Sequence, residues 1–205
     1  MPLACSDLLS RLRRQRWCPL ACAVACGLSL IARPASANLT SRWGRGTFPV
    51  ASFSGYSSPF GMRVHPIHGG LRPHEGLDIA APLGSLVRNW WGGSVEEVLQ
   101  DSGCGNGLVI RSGPYMHIYC HLAGRVEGKV YRSGAIVLRQ GQGVRTGQPI
   151  GHVGLSGSTT GPHLHWGVRY GGRWLDPAVI LRAMAADRRN PQTSWRRPFN
   201  VGQSP

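Results

Sequence analysis

Glycine and proline interrupt this chain so often between about residues 49 and 176 that only short segments can keep a regular backbone there. The 29 glycines and 15 prolines of the 205-residue sequence punctuate a series of brief β-branched or alternating runs. Candidate strands are Ser85 to Arg88, Ser94 to Leu99, Gly107 to Arg111, Met116 to His121, Ala135 to Leu138, Pro149 to Val153 and His163 to Arg169. Many short strands at this spacing predict an antiparallel, mainly β domain. One helix is well signalled, with Asp176 as N-cap, Pro177 at the first helical position and AVILRAMAAD after it. Asp176 therefore reads as a cap rather than a ligand. The length supports one domain of ordinary size, and no internal repeat is visible.

The two ends read differently from the middle. Arg11, Arg13, Arg14 and Arg16 precede an apolar run from Trp17 to Ile31, and Ala35-Ser36-Ala37 follows with the small residues a signal peptidase prefers. Residues 1–37 are thus expected to be a secretory signal cleaved before Asn38. A retained anchor is the alternative, but an apolar run of about fifteen residues falls short of the ~20 needed to span a bilayer. The mature chain is expected to carry no transmembrane span and to work in the periplasm or cell envelope. Arg13-Arg14 leaves twin-arginine export open beside general secretion. Residues 38–48 read as a short leader, 49–180 as the domain, and 181–205 as the helix end followed by a basic, mobile tail.

Four of the six cysteines leave with such a signal, so only Cys104 and Cys120 remain. A pair in an oxidising compartment suggests one disulfide, with reduced thiols or a metal site as alternatives. The formal net charge is +14, and the five arginines and one aspartate of residues 1–37 account for +4 of it, leaving +10. Such a surface favours polyanions. The basic residues are scattered and no nucleic-acid motif accompanies them, so nucleic acid is not expected as a partner. In an exported protein the anionic polymers and lipids of the envelope are the natural counterpart, and a generally basic solvated surface is the plain alternative.

The segment RPHEGLD at residues 72–78 looks like an HExxH zinc-peptidase motif whose last histidine has become Asp78. HExxH works on a helix, with its histidines one turn apart and the glutamate reaching the metal-bound water. Pro73, Gly76 and the extended Ile79-Ala80-Ala81-Pro82 argue against a helix here. In a loop running into a strand, His74 and Asp78 can still converge on one ion, but Glu75 has no reason to point with them. By itself the segment reads more readily as a surface loop with a stray histidine.

A second cluster changes that balance. GPHLHWGV at 161–168 puts His163 and His165 at i and i+2 of a strand-like run, so both rings emerge on one face while Leu164 and Trp166 face the core. Two histidines on one face, beside a His/Asp pair, form a metal-site pattern. The third piece is Tyr119-Cys120-His121-Leu122. By the same alternation Tyr119 and His121 share a face and Cys120 points away, a position suited to pinning the strand that presents His121.

His74-x3-Asp78, the YxHL segment ending in His121 and Leu122, and GPHLHW together closely resemble the lysostaphin-like zinc metallopeptidases of the peptidoglycan endopeptidase class, the M23 or LytM family. FGMRVHP at 60–66, GQPIG at 147–151 and the Gly154 to Gly161 turn add to the resemblance, which covers about residues 55 to 178. It implies a mainly β fold of the duplicated hybrid-motif type with one short C-terminal helix. It also implies one zinc ion held by His74, Asp78 and His165, with His121 and His163 as the catalytic pair, whichever of them is the base. The implied activity is hydrolysis of peptide cross-links in peptidoglycan. Arg63 and His65 lie in the segment that borders the substrate groove in relatives, and so are expected to contact substrate.

The donor set suits that chemistry independently. Two neutral imidazoles and one carboxylate leave zinc a net charge near +1 and an open position, where it would acidify water and polarise a scissile carbonyl. Where the family usually has a short apolar strand, this chain has Trp90-Trp91, which either pack or line a groove. His68, His117 and His152 look incidental. A non-catalytic wall-binding protein or an activator of other wall hydrolases on the same fold is the competing reading, and the complete set of five residues weighs against it.

Overall fold

The computed structural model describes residues 43–189. The expected signal at 1–37, the first part of the leader up to residue 42 and the tail from residue 190 lie outside the described residues. The chain runs through β1 (Gly55–Ser58), β2 (Gly61–Val64), β3 (Leu71–His74), β4 (Leu77–Ala80), β5 (Leu86–Arg88), β6 (Gly93–Asp101), β7 (Gly105–Ser112) and β8 (Tyr115–Cys120). It continues through β9 (Arg125–Glu127), β10 (Val130–Ser133), β11 (Ile136–Arg139), β12 (Gly143–Val144), β13 (Pro149–His152), β14 (His163–Tyr170), β15 (Arg173–Leu175) and the helix α1 (Pro177–Arg189). The expected mainly β, antiparallel architecture with a C-terminal helix is what the chain adopts.

The principal sheet has eight strands in the order β1-β4-β14-β8-β7-β6-β12, with β15 also paired to β14. β14 is its centre. It pairs antiparallel with β4, setting His165 opposite Asp78 and Trp166 opposite Leu77, and with β8, setting His165 opposite Cys120 and Trp166 opposite Tyr119. Because side chains alternate across a strand, one face of this sheet carries Leu164, Trp166 and Val168 with Leu77, Ile79, His117 and Tyr119, and the other carries His163, His165 and Asp78. The first face is the core, where Leu77, Ile79, Leu164 and Trp166 are all at most 2% exposed. Val87, Trp90 and Ile150 join it, together with Ile180, Leu181 and Met184 of α1. Each fully buried Leu or Ile is worth about 1.5–3 kcal/mol over leaving it exposed. A one-residue slip of β14 would exchange Trp166 for His165 on the core face, so apolar burial fixes the register that aims the histidines.

α1 begins as the sequence indicates: the Ala178 amide donates to Asp176 Oδ1 at 2.8 Å, which is the capping contact. Trp43, assigned to a leader by its lack of periodicity, is buried and donates through Nε1 to the Tyr115 hydroxyl at 3.0 Å. Trp90 is fully buried and meets Trp166 and His117 edge to face, with ring centroids 5.6 and 4.8 Å apart, while Trp91 is half-buried. Packing therefore accounts for Trp90. His117 is a core residue, and burial pushes its pKa down to about 3. No helix among the described residues is long and apolar enough to cross a membrane.

Candidate metal centre

RPHEGLD is neither a helix nor a plain loop. β3 ends at His74, the chain kinks through Glu75 and Gly76, and β4 begins at Leu77. Among the described residues β3 pairs only with β2, placing Gly61 opposite His74 and Arg63 opposite Arg72, whereas β4 belongs to the principal sheet. The kink thus carries the chain from a small hairpin onto the large sheet and leaves His74 and Asp78 facing each other across the junction. Gly76 fills a particular need there. A Cβ at this position would lie 2.5 Å from His165 Cε1, so the His165 ring occupies space that only glycine leaves open.

Three donor atoms meet above the sheet. Asp78 Oδ1 lies 3.1 Å from His74 Nε2 and 2.9 Å from His165 Nδ1, and those two nitrogens are 3.0 Å apart. Tetrahedral zinc with bonds of about 2.0–2.1 Å sets its ligand atoms about 3.3 Å apart, so this triangle fits zinc in both dimensions and chemistry. His74, Asp78 and His165 are, among the described residues, the group able to hold a metal ion. Burial acts to raise the Asp78 pKa, but the hydrogen bonds and charges of His165 and His74 prevail and hold it well below the usual carboxylate range. The group is therefore a carboxylate, as a ligand must be.

His163 and His121 flank the triangle. His163 Nε2 lies 3.6 Å from Asp78 Oδ1, and the His121 and His163 rings are 4.7 Å apart. Backbone carbonyls fix the tautomers, because a carbonyl can only accept. His74 Nδ1 donates to Pro59 at 2.6 Å, His121 Nδ1 to Ser156 at 2.9 Å and His163 Nδ1 to Gly161 at 2.9 Å. Each of these rings consequently turns its Nε2 lone pair inward. Burial is the main cause that pushes the His121 pKa down to about 4, so the ring is neutral at pH 7.

His121 arrives by a route that strand alternation did not foresee. β8 stops at Cys120, and His121 has φ 61°, the left-handed region that a non-glycine residue rarely occupies. Tyr119 accordingly does not share a face with His121: it lies fully buried in the core, its hydroxyl accepting from the Trp90 amide at 2.9 Å. The left-handed turn swings His121 round to the metal side. The His121 amide donates to the Cys104 carbonyl at 2.8 Å, and Cys104 and Cys120 are joined in a disulfide.

The remaining expected site residues make their contacts within the protein. Arg63 Nη2 is 3.5 Å from Asp78 Oδ2. His65 Nδ1 accepts from the amides of Ile67 and His68 at 3.3 and 3.1 Å, closing the β2–β3 turn. The Glu75 side chain is exposed, and the triangle is complete without it. Sequence reasoning missed the carbonyls of Pro59, Ser156 and Gly161, for which a side-chain motif gives no signal. It also missed the reason for Gly76, visible only as a break in a helix pattern.

Residues 72–177 match the profile of Peptidase family M23. A DD-carboxypeptidase/endopeptidase of Neisseria meningitidis serogroup B (Mpg) is 38% identical over 126 residues, covering 60% of this chain and 26% of its own. A peptidoglycan DD-endopeptidase of Vibrio cholerae (ShyA) is 37% identical over 128 residues, covering 62% of this chain and 27% of its own. Among solved structures, a zinc-containing peptidase from Vibrio cholerae superposes with a TM-score of 0.53 at 34% identity, over 67% of this chain and 38% of that one. The chain spans about a quarter of the length of the curated relatives it matches.

Proposed function

The chain belongs to peptidase family M23, and on that premise we propose that it is an exported, zinc-dependent endopeptidase that hydrolyses peptide cross-links of peptidoglycan. The observation that carries this reading is the closed triangle of two imidazole nitrogens and one carboxylate oxygen, flanked by two further histidines that are not part of it. His74, Asp78 and His165 would hold the ion. Zinc bound there supplies Lewis-acid activation of water and of the scissile carbonyl.

The proton movements fall to His121 and His163. With Nδ1–H tied to a carbonyl, each ring can take a proton at Nε2 and afterwards give it to the leaving amine. Such a pair can also hydrogen-bond the developing oxyanion once protonated. Glu75, exposed and outside the donor triangle, has no part in these steps. The DD-endopeptidase names of the relatives favour links involving D-alanine over oligoglycine bridges as the bond cleaved. The excess of basic residues suits retention on anionic envelope polymers or lipids, and residues 1–37 would direct export.

Mass spectrometry of fragments released from purified walls by the purified chain tests the proposal, with zinc measured on the same preparation. We expect about one zinc per chain, soluble cross-link fragments, and loss of both on treatment with a chelator. His163→Ala should abolish release while keeping zinc, and Glu75→Gln should leave substantial release. Zinc-loaded protein that binds walls but releases nothing would favour the activator reading, and loss of hydrolysis in Glu75→Gln with survival in His163→Ala would restore a zincin-like mechanism.

A further inference from the structure

The two oxygens of Asp78 have separate surroundings. Oδ1 lies in the donor triangle, near His74 Nε2, His165 Nδ1 and His163 Nε2. Oδ2 faces Arg63 Nη2 at 3.5 Å. Both side chains are largely shielded, Asp78 to 9% and Arg63 to 24% exposure. A carboxylate can meet a metal through one oxygen or both, so whatever occupies Oδ2 decides which.

The fold places Arg63 for this contact. β2 alternates, and Met62 and Val64 point outward at 61% and 68% exposure while Arg63 between them turns inward. Its hairpin partner β3 ends in His74, so one two-stranded unit delivers both a metal-triangle nitrogen and the guanidinium behind the carboxylate. Among the described residues, Arg63 Nε is buried without a hydrogen-bond partner, and the ion pair to Oδ2 is the charged contact the guanidinium makes. This is a pairing inside the protein rather than a side chain extended toward a groove.

We infer that Arg63 is a positioning residue that occupies Asp78 Oδ2 and so presents Oδ1 alone to the metal. The inference rests on the proposed metal site at His74, Asp78 and His165. Its consequence is that one coordination position stays open for water and substrate, as catalytic zinc sites require. Without the guanidinium, Oδ2 is free to turn in as a second donor from the same residue, and the open position fills. A role exerted through Asp78 stands as the alternative to the expected direct substrate contact by Arg63.

Cobalt(II) titration of the metal-depleted full chain, read by the visible ligand-field bands, tests this alongside wall-digestion kinetics for wild type, Arg63→Gln and Arg63→Lys. Wild type should give the intense bands of a four-coordinate ion. Arg63→Gln should still bind cobalt but with several-fold weaker bands, and its kcat should drop about 10- to 100-fold with KM little changed, the usual scale for losing a partner of a ligand. Arg63→Lys, which keeps a positive charge near Oδ2, should recover part of both signals. Unchanged bands in Arg63→Gln with a raised KM would overturn the inference in favour of a substrate contact. Unchanged bands and unchanged kinetics would overturn it outright. Wild type that takes up no cobalt would defeat the metal reading itself, and this inference with it.

Discussion

A single missing carbon shows how closely the centre is fitted. Gly76 sits under His165, and a Cβ there would come within 2.5 Å of the ring and 2.9 Å of the Trp166 carbonyl. The ring cannot retreat, since its Nδ1 is one corner of the donor triangle. Gly76→Ala should therefore weaken zinc affinity about 10- to 100-fold, on the scale seen when support of a ligand is lost. The thermal midpoint measured without metal should stay within a few degrees of wild type. Zinc affinity equal to wild type would remove steric fit as the reason for this glycine. The sequence made the residues of the triangle legible and left this reason hidden. His163 and His165 at i and i+2, and His74 and Asp78 around a proline and a glycine, carry their geometry in their spacing. The need for glycine at 76 arises from a ring that the chain supplies much later, and the orientation of His121 arises from one left-handed residue. Neither leaves a periodic trace.

At the scale of elements, His121 depends on three segments that clamp one another. Asp101 Oδ1 accepts from the amides of Gly103 and Cys104 at 2.7 Å each, folding the turn between β6 and β7. The Ser156 hydroxyl accepts from the Asn106 amide and donates to the Leu122 carbonyl, both at 2.9 Å, while its own carbonyl holds His121 Nδ1. The Cys104–Cys120 disulfide, closing a sequence separation of 16, ties this turn to the end of β8. A cross-link over a loop of this size contributes about 3 kcal/mol. Cys104→Ser paired with Cys120→Ser should lower stability to denaturant by roughly that amount. It should also lower hydrolysis at temperatures where the fold is intact, because His121 loses part of its clamp. Stability that falls while hydrolysis holds would show that the clamp positions His121 without the disulfide.

Every strand expected from the sequence overlaps an observed one, since those strands bury apolar side chains. Of the strands that were missed, β3 with Pro73 and the charged β9 are short and mostly exposed, whereas β4 and β10 bury Leu77, Ile79 and Tyr131 but run for only four residues each. Turns and backbone pairing hold β3 and β9 rather than an apolar face, and four residues are too few for the alternation of β4 and β10 to stand out, so hydrophobic pattern does not reveal them.

For the molecule as a whole, charge and buried histidine act together as pH falls. The chain carries 23 Lys and Arg against 9 Asp and Glu, so protonating carboxylates adds to an existing excess of positive charge. Burial lowers the His117 pKa from the ordinary 6.5 to about 3. Between those values the unfolded chain binds a proton that the folded chain refuses. The stabilisation is thus fully present above about pH 6.5 and is lost as the pH falls toward 3. Urea midpoints measured from pH 7 to 4 should decline, and the decline should be shallower in His117→Phe, which has no ring to protonate. Equal slopes in the two proteins would assign the acid sensitivity to other groups. The order of the principal sheet was the least legible property of all. β14, late in the chain, inserts between β4 and β8, and no local pattern encodes that choice. It also imposes a schedule. The His74–His165 contact joins residues 91 positions apart, and β14 brings both His163 and His165 with it. Until that strand has left the ribosome and entered the sheet, the chain has neither the third corner of the donor triangle nor the histidine beside it. A growing or still-threaded polypeptide therefore lacks the assembled centre, which closes only once β14 is in place.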